Sequence, residues 1–436
     1  MTNKRHLHAI SCSSKEILFL KSDSGTEPLS YSPPETFVSD LIREPTAWMD
    51  AFVSKLNKAL IPDNRFHCAV IRITPPGDED DKDKALTEGC LADMVDGGSG
   101  LWGRVSGQVF VLALWNLDVS KEETRFNHMK ARLASTLHAQ ITLGIARFPF
   151  MDFTRKETFH NALKALDHAA FFGPDSLVMF DDVSMNISGD RLYETGQARD
   201  AAREYTRGLK INPRNLNLIN SLGVCFGVMN KMDNALKEFQ KAIVLDPGEV
   251  MAIYNAGLAA NLTGDLPGAV EFLQKASRLN PEIFEVELTT GSLLLKAGQI
   301  EQAMIHLDRA SQLNPMSSAP LRIIGDHYLD ARKPDEAIPE FNKAIKLNPS
   351  DASALSSLAR AFDMQSKNLD IAVTFARQAV SLVPDNPDFR MILGKLYLKT
   401  NQKKLAEAEF SSAQMLQAGS SNDGAEAEGH DEPSPP

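Results

Sequence analysis

The residues of this sequence best suited to chemistry are a run of carboxylates, three histidines and four cysteines. The run at residues 78–84 (DEDDKDK) has the oxygens of a cation site but lacks the glycine and terminal glutamate of an EF-hand loop, so a solvated acidic loop is the favoured interpretation. His128, His160 and His168 are too scattered to predict a metal site. The cysteines contain no C-x-x-C pair and predict buried thiols. No P-loop, nucleophile-elbow or zincin motif occurs.

The elements that would position such groups are punctuated by prolines at a nearly constant spacing. The intervals are 34 residues four times and then 35, and Asn or Asp precedes the first five prolines. Each proline follows an apolar-periodic stretch. Proline disfavours helical geometry in the preceding residue, and Asn or Asp tolerates the left-handed conformation at a helix end. A helix is therefore predicted to end at Pro213, Pro247, Pro281, Pro315, Pro349 and Pro384.

Aligned on these prolines, the 34-residue units share four positions. Position eight is glycine in all units but one, position twenty is alanine, position twenty-seven is small and position twenty-four is usually large. Small residues let helices approach closely, and the large residue fills the space between them. The sixth unit departs, with one extra residue and Ala376 where a large residue is expected.

This pattern resembles the tetratricopeptide repeat, whose signature is L-G-x-x-Y, then A-x-x-x-F, A and P. The resemblance covers residues 182–416 as seven units. It implies helical hairpins stacked into an all-α superhelical solenoid with a concave groove that binds protein, because one hairpin cannot bury its own apolar side.

In such arrays the first helix of each unit lines the groove. The resemblance therefore implies a polar, weakly charged groove formed by Asn217, Asn220, Ser221, Tyr254, Asn255, Thr289, Ser292, Arg322, Asp326, Arg360 and Lys395. One interpretation is an extended peptide held by Asn and Ser side chains; the other is that these are soluble surface residues only, and both stay open. Of the residues with which part of the family clamps chaperone C-termini, only Asn255 matches, which disfavours a chaperone adaptor.

Residues 44–181 alternate predicted helices and strands around a central hairpin, which predicts an α/β plait with a ferredoxin-like core. The last predicted strand, SLVMF, ends at Phe180, and the first repeat begins near Asp182. No linker rich in Gly, Ser or Pro intervenes, so we expect a fixed orientation between this region and the first repeat.

The order of these elements resembles the GGDEF domain of diguanylate cyclases, with WGRVSGQVFVLAL as the signature hairpin, ITLGIARFP as a late strand and ALKALDHAAFFGPDSLVMFDD as the final helix and strand. The resemblance implies a nucleotidyl cyclase-like fold, but its chemistry is missing. Val109, Arg72 and Thr74 stand where the family has carboxylates for two metal ions, and Pro76-Gly77 replaces its phosphate-binding pair. We therefore expect no catalytic, cofactor-binding or metal-binding residue, no cofactor and no enzymatic activity.

Charge and composition limit the kinds of partner and the location that the sequence allows. The net charge of −11 disfavours nucleic acid as a partner, and the absence of an apolar run of ~20 residues predicts no membrane insertion. The first residues lack the apolar core of a signal peptide, which predicts a cytoplasmic protein. Residues 1–43 are assigned to an N-terminal extension, and residues 417–436, with five acidic residues and no Lys or Arg, to a disordered acidic tail.

The sequence as a whole predicts a non-catalytic scaffold or adaptor in bacterial signalling that binds partner proteins through the repeat groove. The GGDEF-like domain would act in docking, homodimerisation or sensing. The alternative is a receptor for guanine nucleotide or cyclic di-GMP with an inactive cyclase domain, and an active diguanylate cyclase is less favoured.

Overall fold

A computed structural model describes residues 47–75, 81–95, 98–106, 108–115 and 121–426. The predicted N-terminal extension, Pro76-Gly77, the start of the acidic run and the chain beyond Glu426 lie outside the described residues. The chain divides into two compact units between Asn255 and Ala256. The first unit contains a β-sheet with its helices and the repeats up to Asn255, and the second contains the remaining repeats.

The first unit is built on a mixed five-stranded sheet with the order β2-β3-β1-β4-β5. All neighbouring pairs are antiparallel except β4 with β5. The strands and the helices around them lie where the sequence predicts elements. They are β1 Phe66–Thr74, β2 Gly100–Arg104, β3 Val109–Leu114, β4 Gln140–Phe148 and β5 Leu177–Met179, with α1 Ala47–Lys58, α2 Asp81–Met94, α3 Glu122–Leu137 and α4 Arg155–Ala169.

Helices cover both faces of the sheet, which is why its central strand is apolar on both sides. Along β1, Cys68 and Val70 face α1 and α4, whereas Ile71 and Ile73 face α2 and α3. At Gly144 the helix α4 packs directly on the backbone of β4: an added Cβ would lie 2.0 Å from the backbone nitrogen of Leu166. This contact fixes α4 against the sheet.

Helix α4 also joins the sheet to the first repeat. The next helix, α5 (Asp182–Glu194), follows β5 after two residues, and the carboxylate of Asp181 caps its first turn. Asp167 on α4 is buried and ion-paired with Arg191 on α5. The segment between sheet and repeat is therefore a direct junction without a linker.

The remaining helices form antiparallel hairpins. They are α6 Ala198–Ile211, α7 Leu216–Val228, α8 Met232–Leu245, α9 Val250–Leu262, α10 Leu266–Leu279, α11 Phe284–Lys296, α12 Ile300–Leu313, α13 Ala319–Asp330, α14 Pro334–Leu347, α15 Ala352–Gln365, α16 Leu369–Leu382, α17 Pro387–Lys399 and α18 Lys403–Glu426. The odd-numbered members from α5 to α17 are the first helices of the seven sequence units, and the even-numbered ones are the second helices.

The predicted prolines do end helices, but the residues before them are not left-handed. Asn212, for example, has φ −135° and ψ 92°, the extended geometry that a following proline imposes. Its side chain accepts a hydrogen bond from the backbone N–H of Arg214, and Asp246 accepts one in the same way from Gly248. Asn and Asp are therefore suited to these sites because they form Asx turns. Left-handed residues occur instead in the turns inside the units, as at Asn230 and Gly264.

Position eight and position twenty-four of each unit are in direct contact. In the second 34-residue repeat, an added Cβ on Gly223 would lie 2.5 Å from a ring carbon of Phe239. The same close approach recurs within the pairs Gly189–Tyr205, Gly257–Leu273, Gly291–Leu307, Gly325–Phe341 and Gly394–Phe410. The glycine is thus required by the side chain that lies on it.

In the sixth repeat, positions eight and twenty-four both carry a small residue. Ala359 takes the place of the glycine and Ala376 the place of the large residue, and both are buried in one cluster. The space is filled by the stacked rings of Phe362 and Phe375, whose centroids are 6.3 Å apart. The extra residue of this unit lengthens α15 to 14 residues.

The last helix is longer than predicted. α18 continues to Glu426 and so includes ten residues of the segment that the sequence assigns to a disordered tail.

Candidate functional site

The candidate site is the first-helix face, by which we mean positions two, five, six and nine of the first helices. These positions hold the eleven residues that the sequence assigns to the groove. Their exposure separates them into three groups. Asn220, Tyr254 and Asn255 are buried; Asn217, Ser221, Thr289, Ser292, Arg322 and Asp326 are half-buried; Arg360 and Lys395 are exposed.

Within the compact unit that ends at Asn255, the side chains of Asn220 and Asn255 are hydrogen-bonded to each other. Nδ2 of Asn255 donates to Oδ1 of Asn220 at 3.0 Å, and Asn255 is fully buried. This contact joins α7 to α9 and so bridges two consecutive first helices. The bond satisfies the buried Nδ2 of Asn255, whereas Oδ1 of Asn255 has no hydrogen-bond partner among the described residues. Of the five predicted residues on α7 and α9, only Asn217 and Ser221 remain half-exposed.

Within the compact unit that begins at Ala256, Arg322 and Asp326 form an ion-pair cluster with two neighbouring residues. Arg322 Nη1 lies 3.6 Å from Oδ2 of Asp326, and its Nε lies 3.8 Å from Oδ2 of Asp351. Ser357 donates to Oδ1 of Asp326 at 2.7 Å. Burial raises the pKa of Asp326, although Ser357 and Arg322 oppose the shift. The cluster holds α13 against α15. Because the guanidinium group of Arg322 already contacts two carboxylates, it is poorly available to a ligand.

Among the eleven predicted residues, the two exposed ones are cations on the last two first helices. Arg360 on α15 and Lys395 on α17 make no ion pair with any described residue. Sequence reasoning missed the ion pair beside them, in which Lys399 Nζ lies 2.6 Å from Oδ1 of Asp363. Opposite charges at the ends of two consecutive first helices were the available signal.

In the sheet region, the structure gives the geometry of two residues that the sequence resemblance compared with metal-binding carboxylates. Arg72 on β1 is the direct cross-strand partner of Val109 on β3. Val109 is fully buried in the face of the sheet that α1 and α4 cover. Within the described ranges, no three His, Cys, Asp or Glu side chains are grouped so as to hold a metal ion.

The helical hairpins and their 34-residue spacing now have a counterpart among known families. The family model described as "Tetratricopeptide repeat" matches residues 188–249, 227–282 and 324–387. Residues 188–282 and 324–387 contain tetratricopeptide repeats. The all-helical tetratricopeptide solenoid expected from the sequence is thereby supported.

Solved structures of tetratricopeptide proteins are similar to the chain. A repeat protein from Parabacteroides merdae is 18% identical over 54% of this chain and 93% of its own, with a TM-score of 0.47. The Cut9–Hcn1 hetero-tetramer of the APC/C is 17% identical over 59% of this chain and 49% of its own, with a TM-score of 0.46. Yeast Tom70 is 17% identical over 56% of this chain and 53% of its own, with a TM-score of 0.44. No curated protein matches the sequence significantly.

None of the helices in the described part of the chain combines the length and apolar composition needed to cross a bilayer.

Proposed function

We propose that the protein is a non-catalytic scaffold or adaptor that binds a partner protein through the first-helix face of its tetratricopeptide repeats. Tetratricopeptide proteins generally mediate protein–protein interactions. The observation that carries the proposal is the incomplete burial of the polar side chains on this face. Ser292, Arg360 and Lys395 retain exposure on helices whose other sides are packed with Gly, Ala and Leu. Polar groups that packing leaves accessible are available to a partner.

Site-specific photo-crosslinking in the native host tests this proposal. A benzophenone amino acid at Thr289 or Ser292 reports on the first-helix face, and the same group at Lys237 or Lys346, which are exposed on second helices, is the control. We expect specific protein adducts from Thr289 and Ser292 and none from the controls. Equal adducts from both pairs, or none from the first, would show that the first-helix face is not the binding surface.

We also propose that residues 44–181 are a GGDEF-like domain that lacks catalytic activity, followed by seven repeats over residues 182–416. What supports the loss of activity is the pair Arg72 and Val109: a buried valine has no oxygen for a metal ion, and an arginine next to it places a cation where the metal would lie. Such a domain suits docking or sensing in cytoplasmic bacterial signalling.

Calorimetry separates this proposal from a nucleotide receptor. GTP and cyclic di-GMP are titrated into the full chain with and without Mg²⁺, and we expect no heat of binding. Saturable heat would instead favour a receptor that retained guanine-nucleotide binding. Homodimerisation through the sheet region is tested by sedimentation, where a dimer that persists when the repeats are deleted would support it and a monomer would refute it.

A further inference from the structure

The ion pair between Lys399 and Asp363 fixes the position of two other charges. It joins α15 to α17, and Asp363 and Lys399 lie three and four residues after Arg360 and Lys395. Residues three and four apart lie on the same face of a helix. Arg360 and Lys395 are therefore neighbours on adjacent first helices, about one 5.4 Å helical turn before this ion pair. We call Arg360 and Lys395 the cationic pair.

The cationic pair differs from the other cations on these helices because it is not neutralised by an ion pair. Arg322 contacts Asp326 and Asp351, Lys399 contacts Asp363, and Arg390 contacts Glu409 at 2.7 Å. Within the described chain, Arg360 and Lys395 have no such ion pair and are exposed. Asp326 does exert an attraction on Arg360, but its carboxylate already accepts from Ser357 and contacts Arg322. Two adjacent positive charges of this kind attract an anionic partner.

A buried hydroxyl lies one turn further along the same face. Ser356 precedes Arg360 by four residues and is 3% exposed, yet its Oγ has no hydrogen-bond partner among the described residues. On the neighbouring helix, the half-buried Met391 precedes Lys395 by four residues. One turn before the two cations, the same face therefore carries the hydroxyl of Ser356 on α15 and the apolar side chain of Met391 on α17. Because the Ser356 oxygen is buried, the part of the face that a partner can reach here is the cationic pair.

We propose that the cationic pair binds two carboxylates of an acidic, extended segment of the partner protein. This inference rests on the proposed function. Packed helices have axes about 8–10 Å apart. Acidic residues at alternate positions of an extended strand are about 7 Å apart on one side, which suits two cations on separate helices better than a single phosphate does.

Fluorescence anisotropy with the purified full chain tests the charge class. The probe is a fluorescein-labelled ten-residue peptide that alternates Glu and Ser, compared with the same peptide with Gln for Glu and with a peptide carrying one phosphoserine and no Glu. We expect the Glu peptide to bind, with affinity falling at high salt, and the Gln peptide to bind at least about ten-fold more weakly.

The decisive variant is Arg360→Glu with Lys395→Glu. Its matched control is Lys346→Glu with Lys367→Glu, which makes the same change in net charge at exposed residues off the first-helix face. The first variant is expected to lower affinity for the Glu peptide by about ten-fold or more and the control by less than about two-fold. Equal losses in both variants, preferential binding of the phosphoserine peptide, or no binding of the Glu peptide by the wild type would overturn the proposal.

The two levels of the proposal fail differently. If a crosslink forms at Ser292 but the Glu peptide does not bind, the face binds protein and the acidic class is wrong. If neither occurs, the proposed function fails as well.

Discussion

The ring of Phe239 lies so close to Gly223 that a methyl group on this glycine would come within 2.5 Å of ring carbon Cε1. The first and second helices of the unit therefore approach as closely as their backbones and this ring allow. Position eight is glycine because of the residue at position twenty-four, and no turn or unusual backbone angle is involved.

Replacing this glycine is expected to be costly. Gly223→Ala overpacks the contact with Phe239 and should lower the free energy of unfolding by about 1–3 kcal/mol, measured by urea denaturation and circular dichroism. Gly89→Ala in α2 is the control, because an added Cβ there has no atom within 4 Å. It should be neutral or slightly stabilising, since alanine favours helix. Similar losses in both variants would contradict this explanation of the repeat.

The sixth unit allows the complementary experiment. Ala376→Phe places a ring where Ala359 already has a Cβ, so it should destabilise by about 1–3 kcal/mol. Adding Ala359→Gly should recover part of that loss, giving a favourable coupling energy of about 1 kcal/mol in a double-mutant cycle. Purely additive effects would show that these two positions do not share one packing space.

The junction between α4 and the first repeat contains a further testable pair. Lys164 Nζ lies 2.5 Å from Oε2 of Glu204 on α6, and the lysine side chain is 7% exposed. Lys164→Met leaves Glu204 without its partner and should cost about 3 kcal/mol, whereas adding Glu204→Leu should recover much of it. Lys343→Met removes the exposed pair with Glu340 and should change the unfolding free energy by less than about 0.5 kcal/mol. Equal costs for the two lysines would refute a structural role of this junction.

Acid should weaken the cap of α5. Burial acts to raise the pKa of Asp181, but hydrogen bonds from His168 and Ser184 outweigh it, so the pKa lies below its ordinary value. A carboxyl with a lowered pKa stabilises the fold above its ordinary pKa and loses this effect as the pH falls through the lowered value.

The variant that isolates this charge is Asp181→Asn, which keeps a side chain able to cap the helix. Its melting temperature should lie below that of the wild type at about pH 5, and the difference should nearly vanish at about pH 2.5. A constant difference for Asp181→Asn would mean that its charge does not contribute.

The sequence predicted the helix ends of the repeats, because proline spacing acts on local backbone geometry. It also predicted the strands, because each contains an apolar run that ends at a turn or a helix. It did not predict that Asn220 and Asn255 bind each other, because an asparagine at a first-helix position is compatible with either exposure or burial. The extension of α18 was missed because an acidic composition alone does not stop a helix.

The junction was the least predictable part from composition. Lys164, Asp167 and His168 look like the solvent face of a helix, yet all three are buried against the repeats. Their partners lie on other helices, more than ten residues away along the chain, so no local pattern reveals them.

The position of α4 has a consequence for how the chain emerges from the ribosome. A stack of helical hairpins has an open end that needs a polar terminal element, and α4 covers this end of α5 and α6 with its charged side chains. Translation proceeds from the N-terminus, so the sheet and α4, which packs on it at Gly144, are synthesised before the hairpins. If the N-terminal part folds first, α4 offers its charged side chains to α5 and α6 as soon as these helices are synthesised.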